Sequence, residues 1–120
     1  MSILNVAVWG LGKHATNRIL PALSSIGEIK LIGICSRNNK SVATYAELWG
    51  CYGWNDPDQM LNSSEVDIVY IATPIGVHFA LAKKAIEAGK HVWCEKPLTC
   101  SYTDTQELVS LADERSKVLT

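Results

Sequence analysis

Short apolar runs alternate along the chain with longer stretches whose apolar positions recur at helical spacing. Residues 3–9 form a run rich in β-branched side chains that stops at Gly10, the pattern of a buried strand. Ala15, Ile19, Leu20, Leu23 and Ile26 then repeat with a helical period up to Gly27, and Pro21 inside that helix is expected to kink it or weaken one turn. Residues 29–35 predict a second strand, and residues 41–49 a helix stopped by Gly50. Residues 51–54 predict a short third strand, and residues 56–61 a brief helix opened by Asp56 and Pro57. The clearest central strand is 66–72, apolar except for Asp67. A helix over 76–88 closed by Gly89, a strand over 91–95 that ends at Pro97, and a last helix over 101–117 complete the pattern. Ser101 or Thr103 caps that last helix, and Leu108, Leu111 and Ala112 form its inner stripe. Residues 118–120 read as a strand that has barely begun.

Strands alternating with helices imply right-handed crossovers and a parallel sheet covered on both faces. The expected fold class is α/β, a doubly wound parallel sheet in the order 3-2-1-4-5, with its sixth strand missing or truncated. The 120 residues suffice for one domain. Eleven basic against twelve acidic residues leave a formal charge of −1, which provides no electrostatic footprint for nucleic acid or an anionic membrane. The amino-terminal stretch has no basic segment of a signal peptide, and no apolar run is long enough to span a bilayer, so a cytoplasmic location is expected. Cys35, Cys51, Cys94 and Cys100 lack CxxC or histidine spacing, so they are expected to be reduced structural thiols, and no metal site is expected.

The first strand is followed at once by Gly10-Leu11-Gly12-Lys13-His14-Ala15, a GxGxxA turn that opens a helix. Gly10 permits the tight turn, Gly12 lets backbone approach a pyrophosphate, and Ala15 lets the helix pack close to the sheet. The helix amino end then offers N–H groups and partial positive charge to the phosphates, as in a Rossmann dinucleotide-binding domain. Lys13 faces the same region as a phosphate ligand or a solvated side chain, and His14 either contacts phosphate or caps the turn.

The end of the second strand selects the cofactor. An Asp or Glu about 20 residues after the glycine turn commonly binds the ribose hydroxyls of NAD. Here the place reads Cys35-Ser36-Arg37-Asn38, without a carboxylate. Ser36 can hydrogen-bond a 2′-phosphate, and Arg37 can pair with it or stack on adenine. NADP(H) is therefore expected in preference to NAD(H).

Strand four ends in Ala72-Thr73-Pro74, followed by Ile75-Gly76-Val77-His78, and strand five ends in Trp93-Cys94-Glu95-Lys96-Pro97. Both ends lie at the carboxyl edge of the sheet, where open α/β folds bind ligands. A Glu-Lys pair directly after an apolar strand is no turn preference and is expected to project into the cleft. The alternative for Lys96 is a structural ion pair with Glu95 or a neighbour. His91 precedes its strand and is expected at the surface.

Together, GxGxxA, ATPxxxH and EKP in the stretch KHVWCEKPLT make the chain resemble the oxidoreductase family named for glucose–fructose oxidoreductase, inositol dehydrogenase and MocA. The resemblance covers essentially the whole chain, and its EKP element is the specific part. It implies that Lys96 lies near nicotinamide and substrate and assists catalysis, with Glu95 beside the nicotinamide end. Thr73 and Pro74 match the segment along the nicotinamide ribose. His78 matches the histidine that follows, either contacting cofactor or only capping its helix and bracing the cleft. The implied activity is hydride transfer between the cofactor and a sugar, polyol or related alcohol or carbonyl.

The family's enzymes carry a second α/β domain that supplies most of the substrate pocket, and nothing in residues 1–120 corresponds to it. The chain alone is thus expected to be a cofactor domain without turnover, whose uncovered apolar surface and strand edge favour a homo-oligomer. The competing reading is a non-catalytic nucleotide-binding, redox-sensing or CoA-binding module. Such a module needs the glycine turn but has no use for Glu95 and Lys96.

Overall fold

A computed structural model describes residues 3–120. Its sheet has five strands, β1 (Leu4–Trp9), β2 (Ile29–Cys35), β3 (Tyr52–Trp54), β4 (Ile68–Ile71) and β5 (His91–Cys94). All pairs are parallel and the order is β3-β2-β1-β4-β5, the predicted doubly wound arrangement. Residues 118–120 lie beside β5. Val92 N–H donates to the Val118 carbonyl at 2.9 Å, and Thr120 N–H donates to the Val92 carbonyl at 3.0 Å, so the chain has begun a parallel sixth position at this edge.

The helices cover both faces. A π-helical turn, Ala15–Ile19, leads into α1 (Leu20–Ser24), and α2 (Asn39–Trp49) follows β2. These pack Ala15, Leu20 and Leu23 against Val6, Val8, Leu31, Ile34 and Tyr70 on one face. Helices α3 (Pro57–Asn62), α4 (His78–Glu87) and α5 (Tyr102–Glu114) cover the other. There Met60, Ala82, Ile86, Leu108 and Ala112 meet Ala7, Trp9, Val69 and Ile71. The alternation of Val6 and Val8 with Ala7 and Trp9 is the period-two geometry of a strand buried on both sides.

Pro21 does what the sequence leads one to expect, through a definite local device. A proline at this point removes an N–H donor and its ring crowds the carbonyl four residues back. The turn just before it widens to π-helix, with Leu20 N–H reaching back to the Ala15 carbonyl. Helix boundaries shift slightly elsewhere. α2 starts at Asn39 because the Asn38 side chain accepts from Ser41 N–H at 3.1 Å, which makes Asn38 its cap. α5 is capped by Ser101, which accepts from Asp104 N–H at 3.0 Å, and ends at Glu114. α4 begins at His78, preceded by a single 3-10 turn, Ile75–Val77.

A β-bulge in β2 was invisible in the sequence. Val6 pairs with Leu31 and Ala7 with Gly33, so Ile32 is an extra residue. The insertion reverses the alternation: Leu31 and Ile34 share one face, while Ile32 and Cys35 share the other. Gly33 makes room there for Trp54, whose ring stands where a Gly33 Cβ would lie.

His91, expected at the surface, is half-buried at the amino end of β5, where its Nδ1 accepts from Val118 N–H at 3.0 Å. The bond pins the carboxyl-terminal segment to the sheet. Lys90 next to it is buried, and its ammonium donates to the carbonyls of Ser63 and Val66 at 2.7 and 2.8 Å. Burial pushes its pKa down from the usual lysine value. Lys90→Met keeps the stem but orphans both carbonyls, and a loss of about 2 kcal/mol in unfolding free energy is expected by urea denaturation.

Candidate cofactor cleft

The carboxyl ends of the strands border a cleft of about 930 Å³. Gly10 forms its floor between β1 and β4. Its φ is +111°, its N–H donates to the Cys35 carbonyl at 2.9 Å, and a Cβ on it would stand 2.9 Å from the Ala72 carbonyl. Only glycine fits this backbone and this approach. At Gly12 the opposite holds, since a Cβ would meet nothing within 4 Å and would point into open space. Ala15 is buried beneath the turn and brings the helix against the sheet. The helix opens at Lys13, and Thr16 N–H bonds back to the Gly12 carbonyl at 3.0 Å, which leaves the N–H groups ahead of it available to an anion.

At the β2 end, Ser36 Oγ accepts from Asn38 N–H at 3.2 Å, which orients the hydroxyl and leaves its own proton free to donate. Arg37 is exposed and, among the described residues, has no ion-pair partner. At the other end, the Thr73 hydroxyl is buried without a hydrogen-bond partner. Glu95 does not pair with Lys96. Its carboxylate lies 3.2 Å from His14 Nε2, linking the β5 end to the glycine turn. Lys96 is exposed and unpaired among the described residues, so its ammonium has three donors to offer a ligand. His78 is 2% exposed, and both of its ring nitrogens face backbone carbonyls, Nε2 toward Thr73 at 2.7 Å and Nδ1 toward Pro97 at 3.0 Å.

Thus Gly10, Gly12, Lys13, His14, Ser36, Arg37, Thr73, Pro74, His78, Glu95 and Lys96 all border one cleft, with Ala15 directly under it. Motif reading missed Asn55 and Pro57, which follow β3, and Leu81 and Lys84 on α4. The position of Asn55 after a strand is a signal in this fold class. Leu81 and Lys84 are mid-helix residues with no motif, brought to the rim partly by the Lys84–Asp58 contact of 3.2 Å.

The cleft residues fit a dinucleotide. Gly12 leaves the open space a pyrophosphate needs, Gly10 holds the turn against the Ala72 carbonyl, and Thr73 lines the cleft with a buried hydroxyl that has no hydrogen-bond partner. The cysteines are free thiols and bring no thiolate chemistry to the cleft. Burial, with a smaller contribution from the Asp56 carboxylate, pushes the Cys35 thiol up to about 12. Burial and then Glu95 push Cys94 up to about 11. No helix among the described residues is long and apolar enough to cross a membrane.

The sequence model of an oxidoreductase family with an NAD-binding Rossmann fold, that of glucose–fructose oxidoreductase, inositol dehydrogenase and MocA, matches residues 4–120. The dTDP-3,4-didehydro-2,6-dideoxy-alpha-D-glucose 3-reductase of Streptomyces violaceoruber is 37% identical over 116 residues, 97% of this chain and 34% of that protein. Among solved structures, the 3-ketoreductase KijD10 of Actinomadura kijaniata, in complex with TDP-benzene and NADP, superposes with a TM-score of 0.95 at 31% identity. That likeness covers 98% of this chain and 37% of KijD10. Biliverdin reductase of Synechocystis sp. PCC 6803, with biliverdin and NADP+, superposes with a TM-score of 0.87 at 30% identity over 97% of this chain and 36% of that one. The chain thus spans about a third of the length of the curated relatives it matches.

Proposed function

This chain belongs to the glucose–fructose oxidoreductase, inositol dehydrogenase and MocA family of oxidoreductases and forms its NAD(P)-binding domain; on that premise we propose that it serves an NADPH-dependent reductase acting on the carbonyl of a sugar. The observation that carries the cofactor choice is the end of β2, where an oriented Ser36 hydroxyl and an unpaired Arg37 stand at the cleft and residues 35–38 contain no carboxylate. The glycine turn and the helix amino end hold the pyrophosphate. Thr73, Pro74 and Glu95 flank the nicotinamide ribose. The cofactor supplies the hydride when bound. Lys96 then donates a hydrogen bond to the substrate oxygen, which stabilises the charge that develops as the carbonyl is reduced.

The substrate class follows from the sugar reductase among the similar proteins and from KijD10, a 3-ketoreductase held with TDP-benzene. Biliverdin reductase shares the fold with a different substrate, so the choice lies in residues that contact the substrate rather than in the Rossmann sheet. A longer polypeptide, with a further domain completing the substrate pocket, carries the activity, and the chain by itself forms a homo-oligomer through its uncovered apolar surface and strand edge.

Titration of the chain with NADPH, NADH and CoA, followed by the fluorescence of its four tryptophans, tests the cofactor reading. NADPH is expected to bind tightest. Arg37→Ala should weaken NADPH by about tenfold and leave NADH nearly unchanged, because a charge-assisted bond to phosphate contributes about 1.5 kcal/mol or more. Tighter binding of NADH than NADPH overturns the NADPH preference, and tighter binding of CoA overturns the dinucleotide reading.

A further inference from the structure

We infer that His78 is a positioning residue, fastening the turn that carries Lys96 to the turn that carries Thr73; the inference rests on the dinucleotide reading above. The β4–β5 ladder ends where Ile71 pairs with Cys94, and Glu95 N–H makes a last bond to the Ile71 carbonyl at 3.2 Å. Beyond that point the two chains leave the sheet in separate turns, and exposed turns with few mutual bonds drift apart easily. His78, the first residue of α4, fills the gap between them. Its ring meets the Thr73 carbonyl at 2.7 Å on one side and the Pro97 carbonyl at 3.0 Å on the other.

Both partners are carbonyl oxygens and accept only, so each bond needs a ring N–H. The neutral ring protonated at Nε2 donates to Thr73 alone and leaves its Nδ1 lone pair against the Pro97 oxygen, whereas the ring with both N–H groups donates to both carbonyls. With both N–H groups present, a side chain 2% exposed joins Pro97, the residue immediately after Lys96, to Thr73, which lines the cleft. Neither the glycine turn nor the β2 end is among its bonded partners. His78 therefore governs the nicotinamide half of the cleft and leaves the adenosine half alone.

The test compares two probes on the same chain: NADPH, and 2′-phosphorylated ADP-ribose, which lacks the nicotinamide. His78→Leu removes both contacts, and His78→Gln retains one donor. His78→Leu is expected to weaken NADPH by about tenfold, the equivalent of one to two lost hydrogen bonds. The same change should alter binding of the phosphorylated ADP-ribose by less than about twofold, and His78→Gln should fall between Leu and wild type. Retained binding of the shorter probe certifies that the variant is folded. Equal losses on both probes, or no loss on either, overturn the inference. Wild-type protein that binds neither probe overturns the dinucleotide reading, and this inference with it.

Discussion

Gly10→Ala should lower the unfolding free energy by about 3 kcal/mol and abolish cofactor binding. Two independent costs add. A φ of +111° lies where residues with a Cβ rarely go, and forcing alanine there costs more than about 1 kcal/mol. The new methyl would also stand 2.9 Å from both the carbon and the oxygen of the Ala72 carbonyl and 3.0 Å from Thr73 Cγ2. Two of those atoms are backbone at the end of a central strand, so the neighbour cannot turn aside, and overpacking of this kind costs about 1–3 kcal/mol. Relief requires β1 to separate from β4, which opens the cleft floor. Urea denaturation measures the first consequence and NADPH titration the second. A variant with wild-type stability would show that the turn is not packed against β4 as described.

Gly12→Val should do the converse: stability within about 0.5 kcal/mol of wild type and NADPH affinity reduced by about a hundredfold. A Cβ at Gly12 meets no protein atom beyond its chain neighbours within 4 Å, so folding has little against it. The space it enters is the one the proposed pyrophosphate needs for close approach to backbone N–H groups at the helix start. A full set of phosphate contacts is lost together with the room for the ligand, so the effect exceeds that of a single hydrogen bond. Unchanged NADPH affinity in a folded Gly12→Val protein would place the pyrophosphate elsewhere. The two glycines stand two residues apart in one motif, yet the first acts through the fold and the second through the ligand.

That division was partly legible in advance. The GxGxxA turn, Ser36 and Arg37, and the Glu95-Lys96 pair all follow apolar strands, and in a parallel α/β sheet every strand end reaches the same edge. Position after a strand therefore located them without any knowledge of side-chain contacts. The roles within the cleft were less accessible. The sequence neighbours Glu95 and Lys96 invite an ion pair, yet adjacent residues leaving a strand point to different sides. Glu95 instead meets His14, 81 positions earlier in the chain (95 − 14). His78 carried both readings, a cofactor contact and a brace. Its two carbonyl partners, from Thr73 and Pro97, are backbone groups that no residue type announces.

The strand and helix order, the sheet topology and the edge that carries the cleft were determined by the sequence itself, because hydrophobic period and glycine punctuation act locally and parallel crossovers have one hand. Tertiary structure alone decided the bulge at Ile32, which exchanges the faces of β2 within a run too uniformly apolar to reveal its register. It alone also decided that Lys90 turns inward to bond the Ser63 and Val66 carbonyls, and that His78 is buried in the cleft wall between the Thr73 and Pro97 carbonyls. Each of these depends on a buried polar or packing partner distant in sequence, and burial must satisfy whatever groups the fold brings together.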